Sequence, residues 1–495
     1  MKSSEAVKEG DPFRGNPMSY RKVAVHGAGW LSAFQAISAI SAQLVAIIIA
    51  RLLAPLDFGV FGLAMIAISL IAIPGDLGLS VELVRRPDYL ELVPTALKLR
   101  WLIAVVLTAI TIAVAPAVSI VVADPAILGL VVLLAAIFPA AALGFGPRVA
   151  LTRALNFKFL AIADTVGRIS GPLVSLGFAL TGAGYWSLAY GMVFSSWVTP
   201  VLLVAMSPAS PKGAFKRTTA ASLVSTGKFV SISTLFGFLL STGDNMATVA
   251  GFGVLALGFY AFGYSLAVTI SRNVSGMVDT VVFPIFSKMV DDPQRVKQAY
   301  LTTLRYICYF AFPVAFAFLV FSEAFVEVIL GQKWQPVTSI LQILALAGLC
   351  YSIAVPASSV LLASGLASRV SRALAGATLV LAAGVGVALI LRIFQVVAIA
   401  AALAALIYLG FLQMSLSRHL AVRLSEFASR AILPGLASGI GSTGPLFILW
   451  ILGANPVSLV LAVVVGVVAY LGIAELLSKG EFLRSIRDLA ALIRE

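Results

Sequence analysis

Charged side chains are rare in this chain, and those inside long apolar segments are the strongest candidates for chemistry. Asp244, followed directly by Asn245, lies within the apolar segment 228–250. An ionised side chain in an apolar environment is costly, so such a residue points to a function. A carboxylate with an amide oxygen beside it can bind Na⁺, and a carboxylate alone can carry a proton. The alternative is an aspartate that is hydrogen-bonded to a helix end or hydrated.

Two arginines also lie within long apolar segments. Arg168 lies in the apolar segment 159–180, and Asp164 precedes it by four residues. This spacing places both side chains on one helix face, where they can pair. Arg272 lies near the end of the segment 253–275. Both arginines can bind an anion. The alternatives are a structural ion pair for Arg168 and, for Arg272, a side chain that reaches the surface of the apolar layer.

The composition predicts that these charged side chains lie on long apolar helices. The chain has 495 residues, of which 60% are hydrophobic and 11% are charged, whereas charged residues make up about 25% of an ordinary soluble protein. This composition excludes a soluble fold, a disordered chain and a disulfide-stabilised secreted domain. Because the apolar segments are long and continuous rather than alternating, they predict an all-α integral membrane protein.

The predicted topology follows from span length and basic residues. A helix of about 20 apolar residues crosses a bilayer, and this criterion predicts fourteen spans between positions 28 and 477. Cytoplasmic loops are enriched in Lys and Arg, and all but five of the 34 basic residues fall on one side. Arg51, Lys333 and Arg392 fall on the other side, and Arg168 and Arg272 fall within spans. Both termini are therefore predicted to be cytoplasmic. Topology and lipid headgroups explain the net charge of +13, so nucleic acid is not a predicted partner.

The two parts of the chain show a weak internal similarity. Leu99-Arg100-Trp101 opens the third predicted span, and Leu304-Arg305-Tyr306 opens the ninth. The similarity predicts two pseudo-symmetric six-helix bundles with a cavity between them, a common plan for transport by alternating access. The predicted parts are a cytoplasmic N-terminal segment (1–27), an N-terminal bundle (28–206), a cytoplasmic linker (207–227), a C-terminal bundle (228–416), an extra pair of transmembrane helices (431–477) and an amphipathic cytoplasmic tail (478–495).

Motifs for catalysis and cofactor binding are missing from the sequence. The loops are short, and no G-x-x-x-x-G-K-[ST] phosphate-binding motif occurs. The two cysteines, Cys308 and Cys350, lack the C-x-x-C spacing, and both histidines lie at or outside membrane ends. No metal site is therefore predicted. We expect the chain not to be an enzyme and to use no cofactor, apart from coupling to Na⁺ or H⁺.

Seven short motifs resemble those of a known transporter family. They are Leu52–Phe61 (LLAPLDFGVF), Gly75–Arg86 (GDLGLSVELVRR), Arg153–Phe159 (RALNFKF), Ala183–Leu188 (AGYWSL), Asp244–Tyr260 (DNMATVAGFGVLALGFY), Phe283–Lys288 (FPIFSK) and Leu330–Trp334 (LGQKW). Their order and spacing resemble the polysaccharide transporter family, the Wzx-type flippases of the MOP superfamily. The MATE exporters and the lipid II flippase are relatives within that superfamily, so a MOP/MATE-like fold is expected.

The resemblance implies a function and a setting. It implies a multi-pass protein of the bacterial inner membrane that moves undecaprenyl-pyrophosphate-linked oligosaccharide from the cytoplasmic to the periplasmic leaflet. The product would serve the biosynthesis of exopolysaccharide, capsule or the O-antigen of lipopolysaccharide. Membrane lipids, a polysaccharide polymerase and glycosyltransferases are the expected partners. The alternative is a MATE-like cation-coupled exporter of small molecules, although such exporters more often have twelve spans.

The resemblance also suggests which residues contact the substrate. Arg168, with Asp164 beside it, and Arg272 would attract the pyrophosphate or an acidic sugar. Tyr260 and Tyr264 are one helical turn apart and can stack on sugar rings, or they can pack in the core.

Ion coupling and gating involve other positions. Asp244, which matches the aspartate of the family motif, would couple transport to an ion with Asn245. Asp76 would gate the cavity by pairing with Arg272 or Arg305 of the other bundle, or would only end its helix. Gln43 on the first span is expected to face the cavity.

Overall fold

The protein is helical throughout the part that the structure, a computed structural model, describes. These residues are 38–77, 79–80, 83, 89–122, 124–154, 156–207 and 214–478, and they contain no strand. Twelve helices in these ranges are long and apolar enough to cross a membrane, which confirms the predicted all-α membrane fold. The count of fourteen spans stays a prediction, because Ser38–Leu52 is a shorter apolar helix and Ser241–Asn273 is counted once.

The first part of the chain, up to residue 206, folds into long apolar helices, and the segment Ala126–Arg153 is one span made of two helices. Asp57 accepts a hydrogen bond from the Ala54 backbone nitrogen at 2.8 Å and so caps the second helix, which begins with Pro55. Gly182 and Gly184 have positive φ in the turn before Tyr185. The helices are α1 (Ser38–Leu52), α2 (Pro55–Ala72), α3 (Tyr89–Val122), α4 (Ala126–Leu134), α5 (Ile137–Arg153), α6 (Phe157–Leu180) and α7 (Tyr185–Met206).

The remaining helices form a second group. A π-helical turn at Ser265–Thr269 joins α8 to α9, and another at Val326–Leu330 follows α10. The helices are α8 (Arg217–Tyr264), α9 (Ile270–Lys288), α10 (Pro293–Phe325), α11 (Val337–Ala363), α12 (Ala367–Leu391), α13 (Gln395–Leu420), α14 (Leu424–Gly441), α15 (Thr443–Leu452) and α16 (Pro456–Leu477). Below, the N-terminal half means residues 38–206, and the C-terminal half means residues 228–416.

Helix α8 reverses direction at one glycine. Gly253 has φ 84° and ψ 178°, a non-helical conformation inside the assigned helix. A side chain at this φ would be strained, whereas glycine adopts it readily. The two arms of α8 therefore form a hairpin, as predicted for the spans 228–250 and 253–275. The reversal lies at Gly253, next to the expected turn at positions 251 and 252.

The predicted linker 207–227 is helical from Arg217 onward, so the helix begins before the predicted start of the next bundle at position 228. Helix α8 begins at Arg217, because Leu223 is 2% exposed and packs with apolar residues of the N-terminal half. The Lys216 backbone nitrogen also donates to Thr95 Oγ1 at 3.1 Å. The polar composition of this segment concealed the helix from sequence reasoning. The predicted N-terminal segment lies outside the described residues, as does the amphipathic tail beyond Ser478.

The two halves contact each other on one side of the molecule. Ala50 of α1 belongs to the largest hydrophobic cluster, together with Trp334 and Phe262 of the C-terminal half. Helix α2 packs against α8. The nearby turns include Arg51, Gly253 and Lys333, all on the side that the charge distribution predicts to be periplasmic. We call this side the predicted periplasmic end.

Candidate functional site

The hairpin at Gly253 brings a carboxylate and a phenol together. Asp244 and Tyr260 are sixteen residues apart, which corresponds to about 24 Å along a straight helix. The Tyr260 hydroxyl nevertheless donates to Asp244 Oδ2 at 2.9 Å. The reversal therefore creates this contact, which a continuous helix would not allow.

Asp244 is a buried carboxylate that accepts several hydrogen bonds. It is 4% exposed, and its Oδ1 accepts from the Asn245 backbone nitrogen at 2.8 Å. Its main-chain oxygen accepts from Thr248 Oγ1 at 2.7 Å. Asn245 Nδ2 lies 3.4 Å from Asp244 Oδ1, and Asn245 Oδ1 is buried and has no hydrogen-bond partner within the described residues. The carboxylate can hold a hard cation such as Na⁺ or a proton, and rotation of the Asn245 amide would add its unpartnered oxygen as a ligand.

A row of tyrosines extends from Asp244 to an arginine. The Tyr260 and Tyr264 rings lie 6.2 Å apart between centroids, and Tyr264 interacts with Arg272. The Arg272 guanidinium lies 5.7 Å from the centroid of Tyr351. The Tyr351 ring in turn lies 6.3 Å from that of Tyr408. The structure thus brings the predicted residues Asp244, Asn245, Tyr260, Tyr264 and Arg272 into one cluster of the C-terminal half.

Three residues in or beside this cluster were not found from the sequence. Tyr351 and Tyr408 are single tyrosines in apolar helices, a pattern that does not separate a site residue from a core residue. Asp279 accepts a hydrogen bond from the Ser359 hydroxyl. It lies beyond the predicted end of its span at position 275, so it was not treated as a residue within the membrane. The signal that could have identified Asp279 is its position seven residues after Arg272, on the same helix face.

One face of helix α9, formed by Arg272, Gly276, Asp279 and Phe283, is partly exposed, and we call it the open face of α9. Arg272 is exposed, Asp279 is half-buried and Phe283 is 38% exposed. Gly276 lies between them at helical spacing, and a methyl group built on it would have no heavy atom within 4 Å. An exposed guanidinium facing lipid would cost several kcal/mol, about 2.5–3.5 on insertion scales. This cost favours an aqueous cavity next to the open face.

The N-terminal half contains a different ion pair from the expected one. Asp164 pairs with Arg148 of α5 through both guanidinium nitrogens, at 2.5 and 3.1 Å. Arg168 is exposed and makes no ion pair with Asp164. Sharing a helix face did not decide the pairing, because the fork of Arg148 from the neighbouring helix binds the carboxylate at two points. Arg168 therefore presents its charge at the middle of α6.

This pairing makes a measurable prediction. In thermal unfolding of the purified protein, the losses of Tm in Arg148→Gln and Asp164→Asn should be non-additive, because either change removes the same contact. Coupling of contacting residues is typically about 0.5–3 kcal/mol. The matched pair Arg168→Gln and Asp164→Asn should be additive. Additive losses for Arg148 and Asp164 would contradict the pair.

Asp76, the expected gating residue, contacts residues of its own half. Asp76 accepts from the Ser80 hydroxyl at 2.8 Å and interacts electrostatically with Arg100. Both partners belong to the N-terminal half, and they satisfy the carboxylate locally. The pairing of Asp76 with Arg272 or Arg305 stays a prediction, and Arg305 is half-buried on α10.

Gln43 lies on the face of α1 that turns toward the C-terminal half. Ile47 and Ala50 follow at helical spacing and belong to the cluster that contains Trp334. Gln43 Nε2 is buried without a hydrogen-bond partner in the described ranges. This placement is compatible with the predicted cavity position.

Comparisons with known proteins identify the family. A family model described as "Polysaccharide biosynthesis protein" matches residues 48–339, which is more than half of the chain. The chain is 24% identical over 358 residues to the lipopolysaccharide biosynthesis protein WzxC of Escherichia coli (strain K12), covering 70% of this chain and 71% of that protein. It is 26% identical over 305 residues to the succinoglycan biosynthesis transport protein ExoT of Rhizobium meliloti (strain 1021), covering 60% and 61%.

Solved structures share the fold. The lipid II flippase MurJ in an inward closed conformation matches with a TM-score of 0.72 at 14% identity, covering 90% of this chain and 98% of that one. A multidrug resistance MATE family transporter of the MOP superfamily, in an inward-facing conformation, matches with a TM-score of 0.50 at 14% identity, covering 80% and 94%. The expected MOP/MATE-like fold is confirmed. The chain belongs to the polysaccharide biosynthesis protein family, which confirms the resemblance to the Wzx-type polysaccharide transporters drawn from its motifs.

Proposed function

We propose that this protein is a flippase that moves undecaprenyl-pyrophosphate-linked oligosaccharide from the cytoplasmic to the periplasmic leaflet by alternating access. Its relatives are named for lipopolysaccharide biosynthesis and succinoglycan transport, and the fold is that of a lipid II flippase. ExoT is named a transport protein and MurJ a flippase, which supports the prediction that the chain is a transporter and not an enzyme. The transported unit would be used for exopolysaccharide, O-antigen or capsule.

The observation that carries the proposal is the open face of α9. A sugar pyrophosphate cannot cross hydrocarbon without a polar path. Arg272 offers an exposed guanidinium, whose fork of N–H donors matches phosphate oxygens. Arg168 offers a second exposed guanidinium at mid-helix in the other half. Two cations on opposite halves would attract the same anion, while the polyprenyl chain stays in lipid.

Ion coupling is proposed at Asp244. Its carboxylate and the Asn245 side-chain oxygen would bind Na⁺, or the carboxylate would take up H⁺. Tyr260 donates to the same carboxylate, and the tyrosine row continues from it to Arg272. Occupation of the carboxylate would thereby change the hydrogen bonding next to the substrate cation. The second arm of α8, which carries Tyr260 and Tyr264, would transmit that change.

The cellular setting follows from the same function. The protein would lie in the bacterial inner membrane with both termini in the cytoplasm. Glycosyltransferases would supply the lipid-linked oligosaccharide, and a polysaccharide polymerase would consume it. Membrane lipids would contact the exposed apolar residues, and no nucleic acid would be bound.

The test is reconstitution in liposomes that contain a fluorescent polyprenyl-pyrophosphate-linked oligosaccharide. A membrane-impermeant reductant bleaches only the outer leaflet. We expect the inner-leaflet fluorescence to become accessible when the protein is present, and to stay protected in protein-free liposomes. Protected fluorescence in both samples, together with export of a cationic dye by the protein, would contradict the flippase and support the MATE-like exporter.

A further inference from the structure

The two halves cap each other's helix ends at the predicted periplasmic end. Helix α1 of the N-terminal half ends at Leu52, and the π-helical turn of the C-terminal half ends at Leu330. The last carbonyl groups of a helix have no partner within the helix. At each of these two helix ends, carbonyl oxygens accept hydrogen bonds from side chains of the opposite half.

Trp334 and Lys333 donate to the end of α1. The Trp334 Nε1–H group donates to the Ala50 carbonyl oxygen at 2.8 Å, and both residues are fully buried. The Lys333 ammonium donates to the Arg51 carbonyl oxygen at 2.8 Å. A cation at a helix C-terminus also interacts favourably with the helix dipole.

Arg51 makes the reverse contact, from the N-terminal half to the helix end of the C-terminal half. Its guanidinium approaches the carbonyl oxygens of Val328 and Ile329 at 3.4 and 3.3 Å. Gly331 makes room for it, since a methyl group on Gly331 would lie 3.0 Å from the Arg51 guanidinium and φ is 92° at this position.

Next to these hydrogen bonds, helices α2 and α8 of the two halves pack closely. A methyl group built on Gly258 would lie 2.0 Å from the Pro55 carbonyl oxygen, and one on Gly59 would lie 2.0 Å from that of Val254. Helices α2 and α8 therefore approach each other backbone to backbone. Phe58 of α2 packs edge-on against Trp334, with 5.3 Å between ring centroids.

We propose that these reciprocal caps, made by Ala50, Arg51, Lys333 and Trp334, are the latch that keeps the two halves closed at the predicted periplasmic end. The proposal deepens the proposed function, because alternating access requires this end to open. All acceptors are main-chain carbonyl oxygens, so the specificity of the latch lies in its three donor side chains.

The latch can also be released. Its groups lie at a membrane end, where water replaces the lost hydrogen bonds once the halves separate. Arg51 and Lys333 are two cations placed side by side, so their repulsion opposes the closed state. Partial burial and the Arg51 charge together lower the pKa of Lys333 below its usual value. The contact therefore combines hydrogen bonds between the halves with a repulsion between Arg51 and Lys333, which the charge of Asp57 partly offsets.

The test is a distance measurement that needs no substrate. Spin labels are placed at Thr181 and Arg392, two exposed turn residues of different halves outside the latch, after Cys308 and Cys350 are replaced by alanine. Double electron–electron resonance is recorded in lipid nanodiscs. Trp334→Phe removes the indole N–H group but keeps an aromatic ring. We expect it to increase the population of longer distances by about 2- to 10-fold, as expected for one lost hydrogen bond.

A second variant and two controls make the test independent of a single side chain. Gly258→Ala should increase the same population, because its methyl group cannot fit against Pro55. The matched controls are Trp450→Phe, at a tryptophan that is 79% exposed, and Gly410→Ala, where a methyl group meets no atom within 4 Å. Both should leave the distances unchanged. Unchanged distances in Trp334→Phe and Gly258→Ala, or equal changes in the controls, would overturn the latch.

Transport by the same variants is then measured after reconstitution in liposomes, with the assay described for the proposed function. If the distances shift as expected but the wild-type protein moves no lipid-linked oligosaccharide, the proposed function fails and the latch stands. If the protein moves its substrate and the distances do not shift, the latch fails and the function stands.

Discussion

Asp244→Asn is expected to abolish the response of flipping to an ion gradient while the protein still folds. Asparagine has the same shape, and its side-chain oxygen can still accept from Tyr260, but it carries neither a charge nor a titratable proton. Interactions with a charged group are typically about 1.5–3 kcal/mol, so ion-driven flipping should fall roughly 10- to 100-fold. The measurement is flipping in liposomes with an imposed Na⁺ gradient and, separately, with a pH gradient.

Two other variants separate ion binding from local structure. Tyr260→Phe removes the hydrogen bond to Asp244 but keeps the carboxylate, so some response to the gradient should remain. Asp279→Asn removes the other carboxylate of this cluster and should leave the ion response intact. Full ion-driven flipping by Asp244→Asn would show that coupling does not pass through this residue.

Arg272→Gln is expected to cause the largest loss of substrate binding. Its guanidinium is exposed on the open face of α9, whereas glutamine has no charge to offer a pyrophosphate. Loss of one charge-assisted contact should weaken binding by roughly 10- to 100-fold. Arg272→Lys keeps the charge but loses the planar fork, so its affinity should lie between the two. Binding of a short-chain polyprenyl-pyrophosphate sugar to the purified protein measures the effect.

Arg392→Gln is the matched control for this prediction. Arg392 is also exposed, but it lies in the turn before α13, outside the cluster. Its replacement should change the affinity little. Arg168→Gln tests the second cation and should weaken binding independently of Arg272. An unchanged affinity in Arg272→Gln would remove the pyrophosphate site from α9.

The helical elements could be predicted because membrane helices are specified locally. The predicted spans 185–206 and 456–477 have the bounds of α7 and α16. Glycine, proline and asparagine at the turns end one helix and begin the next, and lipid requires every span to satisfy its own backbone. The hairpin at Gly253 was also predicted, since two long apolar arms flank a short glycine-containing turn. The start of α8 at Arg217 was not predicted, because the segment around it is polar. Such a segment becomes helical when a tertiary contact buries its few apolar residues.

Side-chain partners depended on the tertiary structure. Composition and periodicity placed Asp164, Arg168, Asp244 and Arg272 within helices, because hydrophobicity and helix geometry act over a few neighbouring residues. They did not show that Asp164 pairs with Arg148 instead of Arg168. The tyrosine row from Asp244 to Tyr408, and the caps exchanged at Trp334, also join residues far apart in the chain. Such contacts are decided by the crossing and separation of helices, which depend on the packing of all side chains between them and not on spacing along one helix.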